Sequence, residues 1–384
     1  MKCAFAIAAL AALAAGACDK NVKVKSQSDL AAVNGCTTFE ADVMVDGVSG
    51  LGAVSLDNVE EITGSLVIQN MYDLQTVSLG SLTKVGSFKI LNNTNVYKVD
   101  VPQLSEVSDF QVITNPNLKE LTYRNISSVG NFQIIGTHVT SLGAFTAAKP
   151  GNIEMLSNTE LKELDFSAVR ETKGYISIAN NGRGANVTFS GLTTVGGNVS
   201  FGDAGVLDIS KLASVTDDFS LYTNDFQNLT VPQLETAERS ITINDNGFKA
   251  ISFPKLAEIG SSLNVVNNTK LAAISKTSFP KLKAVPGSIV LSGSFDNLTF
   301  PALKTVDGQV SLSGRGSISC KEAEKALSAA SNIDCTLEVV EEKSKSSADD
   351  EDSGSDGEDD GSGCAALAAG SAAAAVLAAV AALI

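Results

Sequence analysis

Tryptophan is missing from the 384 residues, tyrosine occurs five times and histidine once. Sites that grip sugars or bases by stacking draw on exposed aromatic faces, so a stacking platform has little material here. The lone histidine, His138 in Ile135-Gly-Thr-His-Val139, cannot supply the imidazoles of a zinc centre and reads as a turn residue. Positive charge is also scarce. Lys and Arg number 28 against 43 Asp and Glu, and the net charge of −15 repels phosphate and excludes nucleic acid as a partner. A phosphate-cradling loop is absent too, because Gly182-Arg-Gly184 lacks the lysine and the strand-to-helix setting. Polysaccharide hydrolysis needs two carboxylates facing one bond. The acids here are scattered, and the Asn224-Asp225 and Asn244-Asp245 pairs fall in the turn columns of a repeat. No catalytic residue, metal site or small-molecule cofactor is assigned, and the chain is expected not to be an enzyme.

What the chain has instead is a phrase returning about every 22 residues: apolar, any residue, apolar, then in many repeats asparagine five residues after the first apolar position. Its first position reads Val43, Leu66, Phe88, Phe110, Phe132, Ile153, Ile176, Val199, Phe219, Ile241, Leu263, Ile289 and Val310. Two residues later stand Val45, Ile68, Ile90, Val112, Ile134, Met155, Ile178, Phe201, Leu221, Ile243, Val265, Leu291 and Leu312. Alternation with period two marks a strand with one buried face. A fixed period in this range marks a solenoid, whose coils bury their apolar faces only by stacking. The phrase therefore predicts an all-β fold, a right-handed parallel β-solenoid of leucine-rich-repeat character with about 13 coils. Val-Pro-Gln-Leu and Phe-Pro-Lys-Leu segments ending at Leu104, Leu234, Leu256 and Leu282 suit its corners, since proline fixes φ and donates no hydrogen bond.

A second column holds Asn93, Asn115, Asn158, Asn181, Asn224, Asn246 and Asn268. Asparagine tolerates unusual backbone angles and bonds to turn backbone, and stacked in register it can satisfy groups that a bend leaves unpaired. The column is read as a structural ladder rather than a binding stripe. Between the apolar positions lie Lys89, Gln111, Gln133, Glu154, Ser177, Ser200, Ser220, Thr242 and Asn264, a polar face that is either solvated or a docking surface for peptide or glycan.

The two ends carry processing signals. Residues 1–17, with one lysine, an alanine-rich core and Ala15-Gly16-Ala17, read as a secretory signal peptide cut before Cys18. Residues 18–340 form the ectodomain. Residues 341–363 hold ten acidic and two basic residues and read as a disordered stalk. Residues 364–384 are uncharged and alanine-rich, and after Gly361-Ser362-Gly363 they read as the propeptide of a glycosylphosphatidylinositol (GPI) signal. Gly361 is the expected attachment residue, with Ser362 and Gly363 as alternatives. A tail-anchored transmembrane helix is the competing reading of this segment.

Of six cysteines, Cys3 and Cys364 leave with the processed ends. The remaining four form two local pairs, Cys18–Cys36 and Cys320–Cys335, expected as disulfides that hold caps at the two ends of the solenoid. Ser319-Cys-Lys-Glu322 reads as a capping box opening a short helix through Ala330. Sequons at Asn92, Asn125, Asn186, Asn198, Asn228, Asn267 and Asn297 imply a glycosylated ectodomain and mark surface positions.

With these parts assembled, the chain resembles the fungal GPI-anchored cell-wall organisation proteins of the sporulation-specific and extracellular-mutant type. Their ectodomain is similar to the receptor L domain of insulin-receptor-like ectodomains. The carriers are Ser26-Gln-Ser-Asp29 to Cys36-Thr-Thr-Phe39, phrases such as Gly86-Ser-Phe-Lys-Ile-Leu-Asn-Asn93, the Val-Pro-Gln-Leu corners and the closing cysteine pair. The resemblance implies a non-enzymatic role in cell-wall integrity at the cell surface and brings no catalytic residue with it. Family stalks are often rich in serine and threonine; the acidic stalk here departs from that pattern. The partners to expect are the plasma membrane through a GPI lipid, and cell-wall glucan or mannoprotein, with the protein a monomer. A receptor-like or adhesive module is the alternative reading; a wall-active enzyme ranks last.

Overall fold

The structure, a computed structural model, describes residues 18–340. The signal peptide, the acidic stalk and the tail with Gly361, Ser362 and Gly363 lie outside the described residues. The principal sheet holds sixteen strands, one of which, Thr38–Phe39, pairs beside the main path. Along that path every pairing is between consecutive coils and parallel, from Val22–Val24 to Ile333–Val339. Each of the thirteen phrases supplies one strand. The strands Val22–Val24 and Ile333–Val339 extend the sheet at either end, giving about 14 turns where the repeat alone predicts about 13.

Register makes the columns of the sequence physical. Phe88 pairs with Phe110 and Phe110 with Phe132, so the same position of each phrase stacks on itself. The first and third positions point inward and are buried throughout. Phe88, Phe110 and Phe132 stack with centroids 5.3 and 5.1 Å apart, which adds ring contact to the area removed from water. Shorter sheets close the other sides of the coil. Ala53–Ser55, Thr76–Ser78, Lys98–Val101 and Glu120–Tyr123 make one, and seven two-residue strands from Glu171–Thr172 to Thr305–Val306 make another.

Among the described residues, helices occur only at the two ends of the solenoid. Helix α1, Gln27–Val33, is capped by Ser26 and buries Leu30 and Val33 over the first coil. Cys18 and Cys36 are disulfide-bonded beside it, with Cα atoms 6.0 Å apart. Helix α2, Cys320–Ala326, begins with a full capping box between Ser319 and Glu322 and turns Ala323 inward. It ends at Ala326 rather than continuing to Ala330, because Ala330 is used in a bridge to Val306. The Cys320–Cys335 disulfide, with Cα atoms 5.8 Å apart, ties α2 to the last strand of the principal sheet. Helix α1 was not expected from the sequence; its signal is Ser26-x-x-Asp29, which has the spacing of an N-terminal cap.

Candidate interaction face

The asparagine column is bonded from coil to coil. Asn93 Oδ1 accepts from Met71 N–H at 3.0 Å, and Asn93 N–H and Nδ2 both donate to Asn115 Oδ1 at 3.1 Å. Each Nδ2 also reaches back to a strand carbonyl of the preceding coil: Asn115 to Ile90, Asn158 to Ile134, Asn181 to Met155 and Asn268 to Ile243, all at 2.8 Å. The ladder is interrupted twice. Thr137 takes the place between Asn115 and Asn158, donating to Asn158 Oδ1 at 2.7 Å. Ala204 follows Asn181 and offers only its backbone N–H, which Asn224 Oδ1 accepts at 3.0 Å. From there Asn224, Asn246 and Asn268 run unbroken. Six of the seven asparagines are buried, and Asn181, at the second interruption, is half-buried. The six buried members are bonded inside the wall, which makes them structural rather than ligand-binding groups.

The unusual backbone angle sits one residue earlier than the tolerance of asparagine suggests. Asn70, Asn92, Thr114, Ser157, Asn180, Asp203, Thr223, Asp245 and Asn267 hold φ between 53 and 60°. The ladder asparagine follows the left-handed turn and bonds across it, so the two tasks fall on adjacent residues. Asp245 is such a turn residue, whereas Asn244 ends the strand Ile241–Asn244 and is not in the turn.

The outward face of the principal sheet has three columns. One holds Asp109, Asn131, Asn152 and Tyr175, linked in series: Asn131 Nδ2 donates to Asp109 Oδ1, Asn152 Nδ2 to Asn131 Oδ1 at 2.7 Å, and Tyr175 N–H to Asn152 Oδ1 at 2.9 Å. The second is the polar column Lys89, Gln111, Gln133 and Glu154, in which Gln133 Nε2 and Tyr175 Oη both donate to Glu154 Oε2, at 2.7 and 3.0 Å. Burial and then the Glu154 charge raise the Tyr175 hydroxyl above its ordinary range, keeping it a donor. The third column is apolar: Leu91, Ile113, Ile135 and Leu156 stand opposite one another in register and are half-buried. This column was not expected. Its signal is the doublet Ile90-Leu91, Val112-Ile113, Ile134-Ile135 and Met155-Leu156, since adjacent residues of a strand cannot both face inward.

Sequons fall on several sides. Asn125, Asn186, Asn228 and Asn297 lie on strands of the smaller sheets. Asn92 and Asn267 lie in left-handed turns beside the principal sheet, and Asn198 immediately precedes the strand Val199–Gly202. Five of the seven are exposed, while Asn125 and Asn186 are half-buried and already hydrogen-bonded, to Thr146 and Glu163. His138 bonds through Nδ1 to the carbonyl of Pro116 one coil away, which fixes its ring in a turn. A cavity of about 830 Å³ opens at the shortest coil, lined by Arg183, Asp203, Asp225, Asp245 and Lys270. Lys270 Nζ lies 3.7 Å from Asp225, and Asp203 accepts from Thr223 and from Asn180 N–H. Among the described residues no three His, Cys, Asp or Glu side chains approach closely enough to hold a metal ion.

The family model described as Receptor L domain matches residues 35–134. Sporulation-specific protein 2 of Saccharomyces cerevisiae is 29% identical over 163 residues, which is 42% of this chain and 32% of the yeast protein. The chain thus aligns with about a third of that relative's length. A cell surface GPI-anchored protein of Arthroderma benhamiae is 28% identical over 280 residues, covering 72% of this chain and 71% of the relative. Protein ecm33 of Aspergillus fumigatus is 26% identical over 324 residues, or 83% and 80% of the two chains. The resemblance carried by the repeat phrases, the corners and the end signals is borne out: the relatives are fungal proteins, one of them named for its GPI-anchored place on the cell surface.

Proposed function

We propose that the protein is a non-enzymatic, GPI-anchored cell-surface glycoprotein that helps organise and maintain a fungal cell wall. The observation that carries this reading is a solenoid closed at both ends by disulfide-tied caps, in a chain similar over 72% of its length to a cell surface GPI-anchored protein. The caps cover the ends of the buried core, so the ectodomain acts as a finished rod. The groups that repeat most regularly, the phenylalanine and asparagine columns, are spent on building that rod. Its outward chemistry is largely hydroxyl, amide, carboxylate and sequon asparagine, with one half-buried aliphatic column, which suits a rigid spacer among wall polymers. Gly361 takes the lipid, and residues 341–363 act as the acidic stalk that holds the rod off the membrane. The seven sequon asparagines carry glycans, cell-wall glucan or mannoprotein is the neighbour of the rod, and the protein acts as a monomer.

The test is treatment of intact fungal cells carrying the full-length protein with a phosphatidylinositol-specific phospholipase. Release of the glycoprotein into the medium, abolished when residues 361–363 are replaced by bulky charged residues, is the expected result. Retention after treatment, with extraction by detergent alone, would assign residues 364–384 to a transmembrane tail instead.

The three-column outward face supports a second reading, a ligand-binding module. Asp109, Asn131, Asn152, Gln133, Glu154 and Tyr175 are oriented by one another before any ligand arrives, which lowers the ordering cost of recognition.

A further inference from the structure

We infer that the outward face of the principal sheet between Lys89 and Ala179 binds a neutral, linear polysaccharide laid across the strands. The inference deepens the binding-module reading and takes from the surface reading only that wall polymers are within reach. It rests on the coincidence of three observations on one face.

The first is periodicity. Neighbouring strands lie about 4.8 Å apart, so each column presents the same kind of group at a spacing close to the length of one pyranose unit. A polymer with one sugar per coil meets an amide or carboxylate at Gln111, Gln133 and Glu154 in turn, and an aliphatic side chain at Ile113, Ile135 and Leu156. Hydroxyl edges face the first row and the C–H face of the ring covers the second. Covering those half-buried aliphatics removes apolar area from water, the term that aromatic stacking supplies elsewhere.

The second is charge. Asp109 and Glu154 are the carboxylates of the patch, and both already accept from neutral donors, Asn131 for one and Gln133 with Tyr175 for the other. Lys89 stands at one end, and the columns from Gln111 to Ser177 contain no lysine or arginine. A sugar acid or phosphorylated glycan would meet carboxylates without a counter-ion, whereas a hydroxyl both donates and accepts and fits the lone pairs that remain. A peptide is the poorer occupant, because the strands of this face pair with their neighbours on both sides and offer it no backbone ladder.

The third is access. Asn92 lies at the start of the aliphatic column and Asn198 beyond its end, while Asn125 and Asn186 lie on other sheets. Glycans on the protein itself therefore frame this window and leave its centre uncovered.

The experiment uses full-length glycoprotein extracted in detergent from a fungal host. Titration calorimetry with laminarin, a neutral β-glucan, and with neutral mannan is expected to give saturable binding to at least one, insensitive to salt, and none to polygalacturonate. Gln111→Ala with Gln133→Ala, and separately Ile113→Ser with Ile135→Ser, are each expected to weaken binding at least tenfold. Gln111→Ala alone, on the outer surface away from the buried ladder, is expected to weaken it several-fold with unchanged thermal unfolding. Absence of saturable binding to both neutral polymers overturns the inference, as does binding that survives all these variants or favours polygalacturonate. A dimer in light scattering that Ile135→Ser dissociates also overturns it, since the face would then belong to a second copy. Phospholipase release is independent of these outcomes, so surface anchoring can stand while the inference fails.

Discussion

Coils near the N-terminal end and coils past the middle solve the same corner differently. In the strands Lys84–Leu91, Glu106–Asn115 and Ser128–Thr137 the ladder runs through the bend, whereas Ile176–Ala179, Val199–Gly202 and Phe219–Tyr222 are four-residue strands with a separate two-residue strand before each. The difference is one residue. Val85 and Phe88, Val107 and Phe110, and Val129 and Phe132 are three apart, while Thr172 and Ile176, Val195 and Val199, and Val215 and Phe219 are four apart. With three, Ser108 of one strand and Gly130 of the next drop out of the pairing at this bend, in register, and eight residue pairs join these two coils. With four, the chain leaves the ladder in these later coils, and three pairs join Ile176–Ala179 to Val199–Gly202; Glu61–Gln69, where Ile62 and Leu66 are also four apart, stays one strand by bulging against the tighter Lys84–Leu91. Both corners bring the backbones close: a Cβ on Gly130 would lie 2.6 Å from the carbonyl oxygen of Ser108, and one on Gly196 2.5 Å from that of Lys173. The Receptor L domain match, residues 35–134, falls on the region that contains the continuous strands.

The comparison can be broken most forcefully at Phe110. Truncating this ring, stacked between Phe88 and Phe132, is expected to cost about 3–5 kcal/mol. Because coils touch only their neighbours, hydrogen exchange should accelerate across residues 84–137 and stay unchanged beyond Val199. Acceleration along the whole chain would mean that the two regions unfold as one unit.

The ladder gives the next effect. Asn115→Ala strands the N–H of Asn93 and the carbonyl of Ile90 in a dry wall, and should cost about 1–3 kcal/mol in chemical denaturation. Asn181→Ala, at a half-buried interruption, should cost less. Equal costs would show that burial does not separate the two sites.

One inserted residue probes the corner itself. Adding a serine after Gly130 recreates the four-residue spacing, and amide exchange at Ser128–Asn131 should rise about tenfold, or 1.4 kcal/mol, while Phe132–Ile135 stays protected. If exchange is unchanged, the bend is not set by residue count.

The smallest expected effect is on the caps and depends on pH. Asp29 is held below its ordinary range first by the Lys25 N–H and then by the Ser26 hydroxyl; Glu322 is held below its own by the backbone N–H and then the hydroxyl of Ser319. A carboxylate whose folded pKa is lowered contributes its stability above the unfolded pKa, near 4, and loses it as pH falls through the folded value. Helix amides in α1 and α2 should therefore exchange faster below pH 4 relative to the ladder, and Asp29→Asn and Glu322→Gln should each remove that dependence. Acid sensitivity that persists in both variants would place its origin in the coils rather than the caps.

Much of the wall was legible in the residues. The first and third positions of every phrase are inward in the structure because strand alternation leaves no other choice once one face is apolar. The two cap strands were not legible, since Val22–Val24 and Ile333–Val339 lack the asparagine turn that marks the phrase. The apolar outward column escaped because each of its members looks, in the chain, like a continuation of the buried pair before it.

Sequence alone therefore determined the period, the buried columns and the stacking, since hydrophobic spacing and parallel register depend only on which residues recur at what interval. Tertiary structure decided what a lone strand cannot specify. Which residue of each turn takes the left-handed angle, where the ladder is spent, whether one residue fewer lets a strand pass through a corner, and which aliphatics face outward are properties of a coil lying on its neighbour. A hydrogen bond or a close backbone contact between residues some 22 positions apart exists only once the coils are stacked.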